Sequence, residues 1–101
     1  MELKQLVGSK PAKKSDQKVA FEYYAPEAQN VFLVGTFNNW HVKACPLKKD
    51  KQGRWKTELT LAPGRYEYRY LVDGGWENDQ RPGETVPNAF GSWNCMVTVS
   101  G

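Results

Sequence analysis

The apolar positions of this chain recur with a period of two, in short runs separated by turn residues. In KVAFEYY (18 to 24), Val19, Phe21 and Tyr23 alternate with Ala20, Glu22 and Tyr24, and the turn signal APEAQN follows. NVFLVGTF (30 to 37) is β-branched and aromatic on both faces, which predicts a central strand covered on both sides. After GTFNNWH comes a short CPLKK segment, then the polar turn KDKQG, then RWKTELTL (54 to 61), where Trp55, Leu59 and Leu61 share one parity. APG (62 to 64) is short enough to predict a hairpin. RYEYRYLVDG then sets Tyr66, Tyr68, Tyr70 and Val72 against Arg65, Glu67, Arg69 and Leu71, and DGG turns the chain into Trp76. A loop, ENDQRPGETVPNAFG, leads to the last strand, SWNCMVTVS. No segment has helical period, and turn signals every 8 to 12 residues predict an all-β antiparallel sandwich of about seven strands. The long loop, with two prolines, two glycines and Phe90, reads as a shaped functional loop.

The length of 101 residues suits one domain, and an aromatic fraction of 13% excludes a disordered chain. The net charge of +3 arises wholly within residues 1 to 18, where five lysines face Glu2 and Asp16. Residues 1–17 therefore read as a flexible Lys-rich arm and 18–101 as the folded domain. The starting Met and this arm favour a small free-standing protein over an excised module. No apolar run reaches the roughly 18 residues of a membrane span, and MELKQLVGSKPAKK lacks a signal-peptide core, so a cytoplasmic protein without a membrane partner is expected. Cys45 and Cys95 have neither CxxC nor Cys/His spacing, and two reduced, partly buried thiols are expected.

Catalytic chemistry has little to work with. His41 is the single histidine, and no nucleophile elbow, phosphate-cradling glycine loop or metal-ligand cluster is present. Glu77, Asp79 and Glu84 lie in turn-rich sequence, where carboxylates are usually solvated or turn-forming rather than paired across a glycosidic bond. No enzymatic activity, metal or cofactor is expected.

Three aromatic residues instead occupy turns: Trp40, Trp76 and Phe90. A pyranose ring offers a face of C–H bonds ringed by hydroxyls, which suits a rigid aromatic face with amide and charged donors beside it. Two tryptophan faces set at an angle suit a curved α-1,4-glucan. Trp55, on the inward parity of its strand, reads as core. Trp93 fits either a place beneath the site or one in the sheet, and Asn38 and Asn39 read as turn formers.

The combination VFLVGTFNNW, GRW, LAPGRYEYRYLVDGGWEND and GSWNCMVTV resembles carbohydrate-binding module family 48, from about Lys18 to Ser100. That resemblance implies an immunoglobulin-like β-sandwich that binds glycogen or starch without catalysis. It places the stacking tryptophans on Trp40 and Trp76, and the family's basic residue on Arg69, here Arg for the commoner Lys. It places the protruding loop residue on Phe90, here aromatic instead of the frequent Leu, and so stacking instead of threading. The hydroxyl position falls on Ser92 and the sugar-bonding asparagine on Asn94. The partners implied are an α-glucan or maltooligosaccharide and a glycogen-metabolising enzyme. The alternatives are a protein-interaction domain of the same fold that has lost sugar binding, and polyanion contact through the Lys arm, whose affinity would fall steeply with salt.

Overall fold

The computed structural model describes residues 15–100, and the expected arm lies almost wholly outside them. The period-two pattern folds into eight strands: β1 (Gln17–Tyr24), β2 (Val31–Gly35), β3 (Lys48–Lys49), β4 (Arg54–Leu61), β5 (Gly64–Val72), β6 (Gly75–Glu77), β7 (Thr85–Pro87) and β8 (Trp93–Val99). All pairings are antiparallel. One sheet has the order β1-β4-β3, the other β2-β5-β8-β7, with β6 paired to β5. The two layers form an immunoglobulin-like sandwich. Among the described residues no helix is long and apolar enough to cross a membrane.

The inward parity of the longer strands supplies the core. Phe21, Tyr23, Trp55 and Leu61 from the smaller sheet meet Val31, Leu33, Tyr68, Tyr70, Cys95 and Val99 from the larger. Fully burying each such side chain contributes about 1.5–3 kcal/mol, and edge-on ring pairs add roughly 0.5–1.5 kcal/mol. Phe21 meets Tyr68 at 5.2 Å and 76°, and Tyr68 meets Tyr70 at 5.9 Å and 90°. The buried hydroxyls find partners: Tyr68 donates to Asp79 Oδ2 at 2.7 Å, and Tyr70 to the carbonyl of Glu22 at 3.3 Å. Trp55 fills the core as expected, its Nε1 donating to the carbonyl of Ala25 at 2.9 Å. Cys45 and Cys95 are both free thiols. Burial pushes the Cys95 thiol above its ordinary range, so it stays protonated.

Three expectations are corrected by the topology. The APG link is not a hairpin: β4 pairs with β1 and β3, while β5 pairs with β2, β6 and β8, so the link carries the chain from one sheet to the other. Length alone does not distinguish an arch between layers from a turn within one. Strand β2 is covered on both faces, with four of its five residues buried, but it ends the order of its sheet instead of lying at its centre. Its free edge is covered by the segment 45–47, through Leu33 N to Cys45 O and Leu47 N to Val31 O, both at 2.9 Å. The loop before β8 is interrupted by β7, which pairs Thr85 with Cys95 and Pro87 with Trp93.

The β5–β6 hairpin turns through Asp73 and Gly74, at φ 47° and 84°, a left-handed pair that a glycine accommodates without cost. The Asp73 side chain does more than turn the chain. Its Oδ1 accepts from Gln29 N and Asn30 N, at 2.9 and 2.8 Å, tying the hairpin to the approach to β2.

Candidate functional site

The register places one set of polar and aromatic residues on the outer face of the larger sheet. Glu67 pairs with Met96, Arg69 with Val34, and Leu71 with Trp76, so Glu67, Arg69, Trp76 and Asn94 share the face turned away from the core. Around them lies a cavity of about 630 Å³, lined by Trp40, Glu67, Arg69, Trp76, Phe90 and Asn94 with the segment 87–89. That volume falls within the range of small-molecule sites.

The wall formed by Trp40 is built by the turn that follows β2. Thr36–Asn38 make one 3-10 turn, and Phe37 drops into the core beside Phe21 and Tyr66, with ring centroids 5.7 and 6.1 Å away. Asn38 closes the turn: Oδ1 accepts from Gly35 N and Nδ2 donates to Leu33 O, both at 3.1 Å. Asn39 and Trp40 then lie at φ 55° and 58°, with Trp40 N donating to Gly35 O at 2.9 Å. A left-handed conformation is unusual for a bulky residue and is retained where the surroundings over-determine it. Here the partly buried Phe37, the Asn38 amide and the Gly35 carbonyl hold it. Gly35 makes this possible by close approach, because a Cβ there would lie 2.4 Å from the carbonyl oxygen of Glu67 and 2.9 Å from Tyr68 Cβ.

Trp76 stands opposite Leu71 in β6 and is 43% exposed, so its face is available to a ligand. The Arg69 guanidinium carbon lies 6.0 Å from the Trp76 ring centroid, and Arg69 Nε donates to Asn78 Oδ1 at 2.7 Å. Phe90 is 93% exposed at the tip of its loop. The loop is organised by Asn88, whose backbone N donates to Ser92 O and whose Oδ1 accepts from Phe90 N and Ser92 N, at 2.9 and 3.1 Å.

Asn94 is 7% exposed, the one polar residue among those classed as buried in the described chain. Its Oδ1 accepts from Asn88 Nδ2 at 3.0 Å and its Nδ2 donates to Glu67 Oε1 at 3.1 Å. The cavity thus has aromatic walls, one charge of each sign in Arg69 and Glu67, and an amide on its floor.

Of the six residues named from the sequence, Trp40, Arg69, Trp76, Phe90 and Asn94 line this cavity. Ser92 does not; it meets the site through its backbone, bonded to Asn88. Glu67, Asn78 and Asn88 were not singled out. Glu67 carried a signal, since it shares the strand parity of Arg69, but Asn78 and Asn88 lie in turns where no periodicity marks orientation. Trp93 is 53% exposed at the start of β8 and does not line the cavity. Among the described residues no group of His, Cys, Asp and Glu is placed to hold a metal ion.

The chain is 30% identical over 86 residues to Protein FLOURY ENDOSPERM 6, chloroplastic, of Oryza sativa subsp. japonica, covering 85% of this chain and 16% of that protein. It is 36% identical over 84 residues to Phosphoglucan phosphatase LSF1, chloroplastic, of Arabidopsis thaliana, covering 80% and 14% respectively. To 5'-AMP-activated protein kinase subunit beta-2 of Homo sapiens it is 36% identical over 72 residues, covering 70% and 25%. The matched part is thus no more than a quarter of any of these three relatives. Residues 17–101 match the family described as the glycogen recognition site of AMP-activated protein kinase. With that match spanning nearly all of its length, on a sandwich whose outer face carries two tryptophans about a polar floor, the chain belongs to this glycogen-recognition family.

Proposed function

We propose that this domain binds α-1,4-linked glucose chains of the glycogen or starch type and leaves them covalently unchanged. The observation that carries the reading is the convergence on one cavity of Trp40, from the turn after β2, and Trp76, which lies in strand β6 and not in the turn expected from the sequence, together with Arg69 and Asn94. Sugar rings stack on the two indoles, Phe90 adds a third exposed face, and Arg69 and Asn94 hydrogen-bond to hydroxyls. For Ser92 the proposal is confined to shaping the loop. Solvated hydroxyls lose nearly as much as they gain on binding, so affinity for a short oligosaccharide lies at roughly 10 µM to 1 mM, about 4 to 7 kcal/mol.

Relatives named as a kinase subunit and as a phosphoglucan phosphatase carry the similar segment within longer chains. Their names support a role in which the domain brings an enzyme of glucan metabolism to its polymer. The two free thiols suit a reducing compartment, which in this reading is the cytoplasm. Fractionation that recovered the protein in plastids, the compartment in the names of two relatives, would overturn that part.

Isothermal titration with maltoheptaose and β-cyclodextrin tests the central reading. Saturable heat with a change in tryptophan fluorescence is expected. Absence of both at millimolar sugar overturns it.

A further inference from the structure

The cavity floor holds a hydrogen-bonded chain whose direction is set from both ends. At one end, the backbone N–H groups of Phe90 and Ser92 both point at the Asn88 side chain. Of the two polar atoms of a side-chain amide only the oxygen accepts, so Oδ1 of Asn88 must face them and its Nδ2 must face Asn94. At the other end stands the Glu67 carboxylate, which when ionised only accepts, so the Asn94 atom beside it must be Nδ2. The two ends agree: Asn88 Nδ2 donates to Asn94 Oδ1, and Asn94 Nδ2 donates to Glu67 Oε1. Flipping Asn94 would set amide nitrogen against amide nitrogen and oxygen against carboxylate. Because Asn94 is nearly buried, water does not compensate for either loss.

The geometry comes from the sheet. Glu67 is paired with Met96, and Asn94 lies two positions along β8, so the two are diagonal neighbours on one face. Asn88 follows β7, whose Val86 pairs with Asn94. Three elements therefore converge on one amide.

We infer that Glu67 and Asn88 are positioning residues that lock the Asn94 amide in a single orientation, so that the cavity floor offers a glucan one donor and one acceptor side by side. The inference rests on the α-glucan reading above. An amide with one hydrogen and one lone pair left over is complementary to adjacent sugar hydroxyls, each of which both gives and accepts. An amide free to flip offers the wrong pairing half of the time and must be ordered when sugar binds. Asn88 has a second consequence. Because the same side chain holds the loop that presents Phe90, loop order and floor order are coupled.

The test compares maltoheptaose affinity in four proteins beside the wild type, with thermal unfolding run on each. Glu67→Met keeps the length of the side chain and removes the acceptor; it is expected to bind about 5- to 20-fold more weakly, the effect of losing one buried hydrogen bond. Glu67→Gln keeps an acceptor and is expected to recover most of that loss. The double variant Glu67→Met/Asn94→Ala should bind no more weakly than Asn94→Ala, because Glu67 acts through Asn94. A further loss in the double variant, or wild-type affinity in Glu67→Met, overturns the inference while wild-type binding leaves the glucan reading standing. No binding by the wild type overturns that reading itself. A readout independent of the variants is the Asn94 side-chain amide in the nuclear magnetic resonance spectrum of the wild type. One of its two protons, the one donated to Glu67, is expected to exchange slowly with solvent; rapid exchange of both protons overturns the inference whatever the variants do.

Discussion

Arg69 and Trp76 form a cation–π pair on the outer face of the larger sheet, the guanidinium carbon 6.0 Å from the ring centroid. The pair exists because Arg69 in β5 and Trp76, opposite Leu71, occupy the same face one step apart. A hydrogen bond from Arg69 Nε to Asn78, two residues past the tryptophan, holds the guanidinium plane in place. The ring and the charge thus form one preorganised surface, in which the cation lies over a π face and still has donors free for a ligand.

Replacing either member separates its contributions. Trp76→Ala is expected to reduce glycogen co-sedimentation more than tenfold while shifting the melting temperature little, since the side chain is exposed. Arg69→Lys keeps the charge and loses the planar contact and the Nε donor, so affinity is expected to fall about two- to fivefold. Titration of both variants with maltoheptaose checks this, and normal binding by Trp76→Ala would mean that the site lies elsewhere.

Gly35 is required for close approach of the Trp40 turn to β5. An alanine Cβ there would meet the Glu67 carbonyl oxygen at 2.4 Å and the Phe37 ring at 2.8 Å. Gly35→Ala is expected to destabilise the fold by about 1–3 kcal/mol or more, because backbone must move to admit one methyl group. Urea unfolding measures the loss. The folded fraction is also expected to bind sugar less well, since the Gly35 carbonyl holds the backbone of Trp40.

Gln80 acts as a substitute strand at the edge of β1. Its Oε1 accepts from Tyr24 N at 2.9 Å and its Nε2 donates to Tyr24 O at 2.8 Å, tying the segment after β6 to the other sheet. Gln80→Ala should cost roughly 0.5–1.5 kcal/mol, the net value of exposed hydrogen bonds. Chemical denaturation checks the stability. Because Gln80 does not line the cavity, glucan affinity is expected to stay at the wild-type value.

Asp79 gives the fold an acid-sensitive component. Burial acts to raise its carboxyl, but hydrogen bonds from Arg81 and Tyr68 and the Arg81 charge outweigh it, so the folded value lies below the ordinary carboxylate range. A lowered folded value means that the stabilisation is fully present above the unfolded value and is lost as pH falls through the folded one. Asp50, held down chiefly by the Arg54 backbone N–H, moves the same way. Melting temperatures are therefore expected to fall steadily as the pH drops below about 4. Asp79→Asn should lower stability at neutral pH and flatten that acid slope, leaving the part that belongs to Asp50. An unchanged slope would remove Asp79 from this role.

Much of the site was legible because strand parity is local. Alternation along β5 separated Tyr68 and Tyr70 from Glu67 and Arg69 without reference to any neighbour, and the same rule turned Asn94 away from Cys95 in β8. Turn chemistry was legible for a similar reason: the φ values at Asn39 and Gly74 are properties of residues whose sequence advertises them. Asn88 was not legible, because its importance lies in hydrogen bonds that depend on how a non-periodic loop meets β8.

The amino-acid sequence by itself determined the longer strands, the inward and outward face of each, and the presence of Trp40 and Phe90 in turns that have no need of an aromatic residue. Each of these follows from side-chain period and backbone preference over a few residues. Tertiary structure alone decided that APG joins two sheets, that β2 ends its sheet under the cover of residues 45–47, and that Glu67, Asn88 and Asn94 meet on one floor. Those outcomes depend on which strands pair and in what register, and pairing is settled by burying the inward faces of distant segments together.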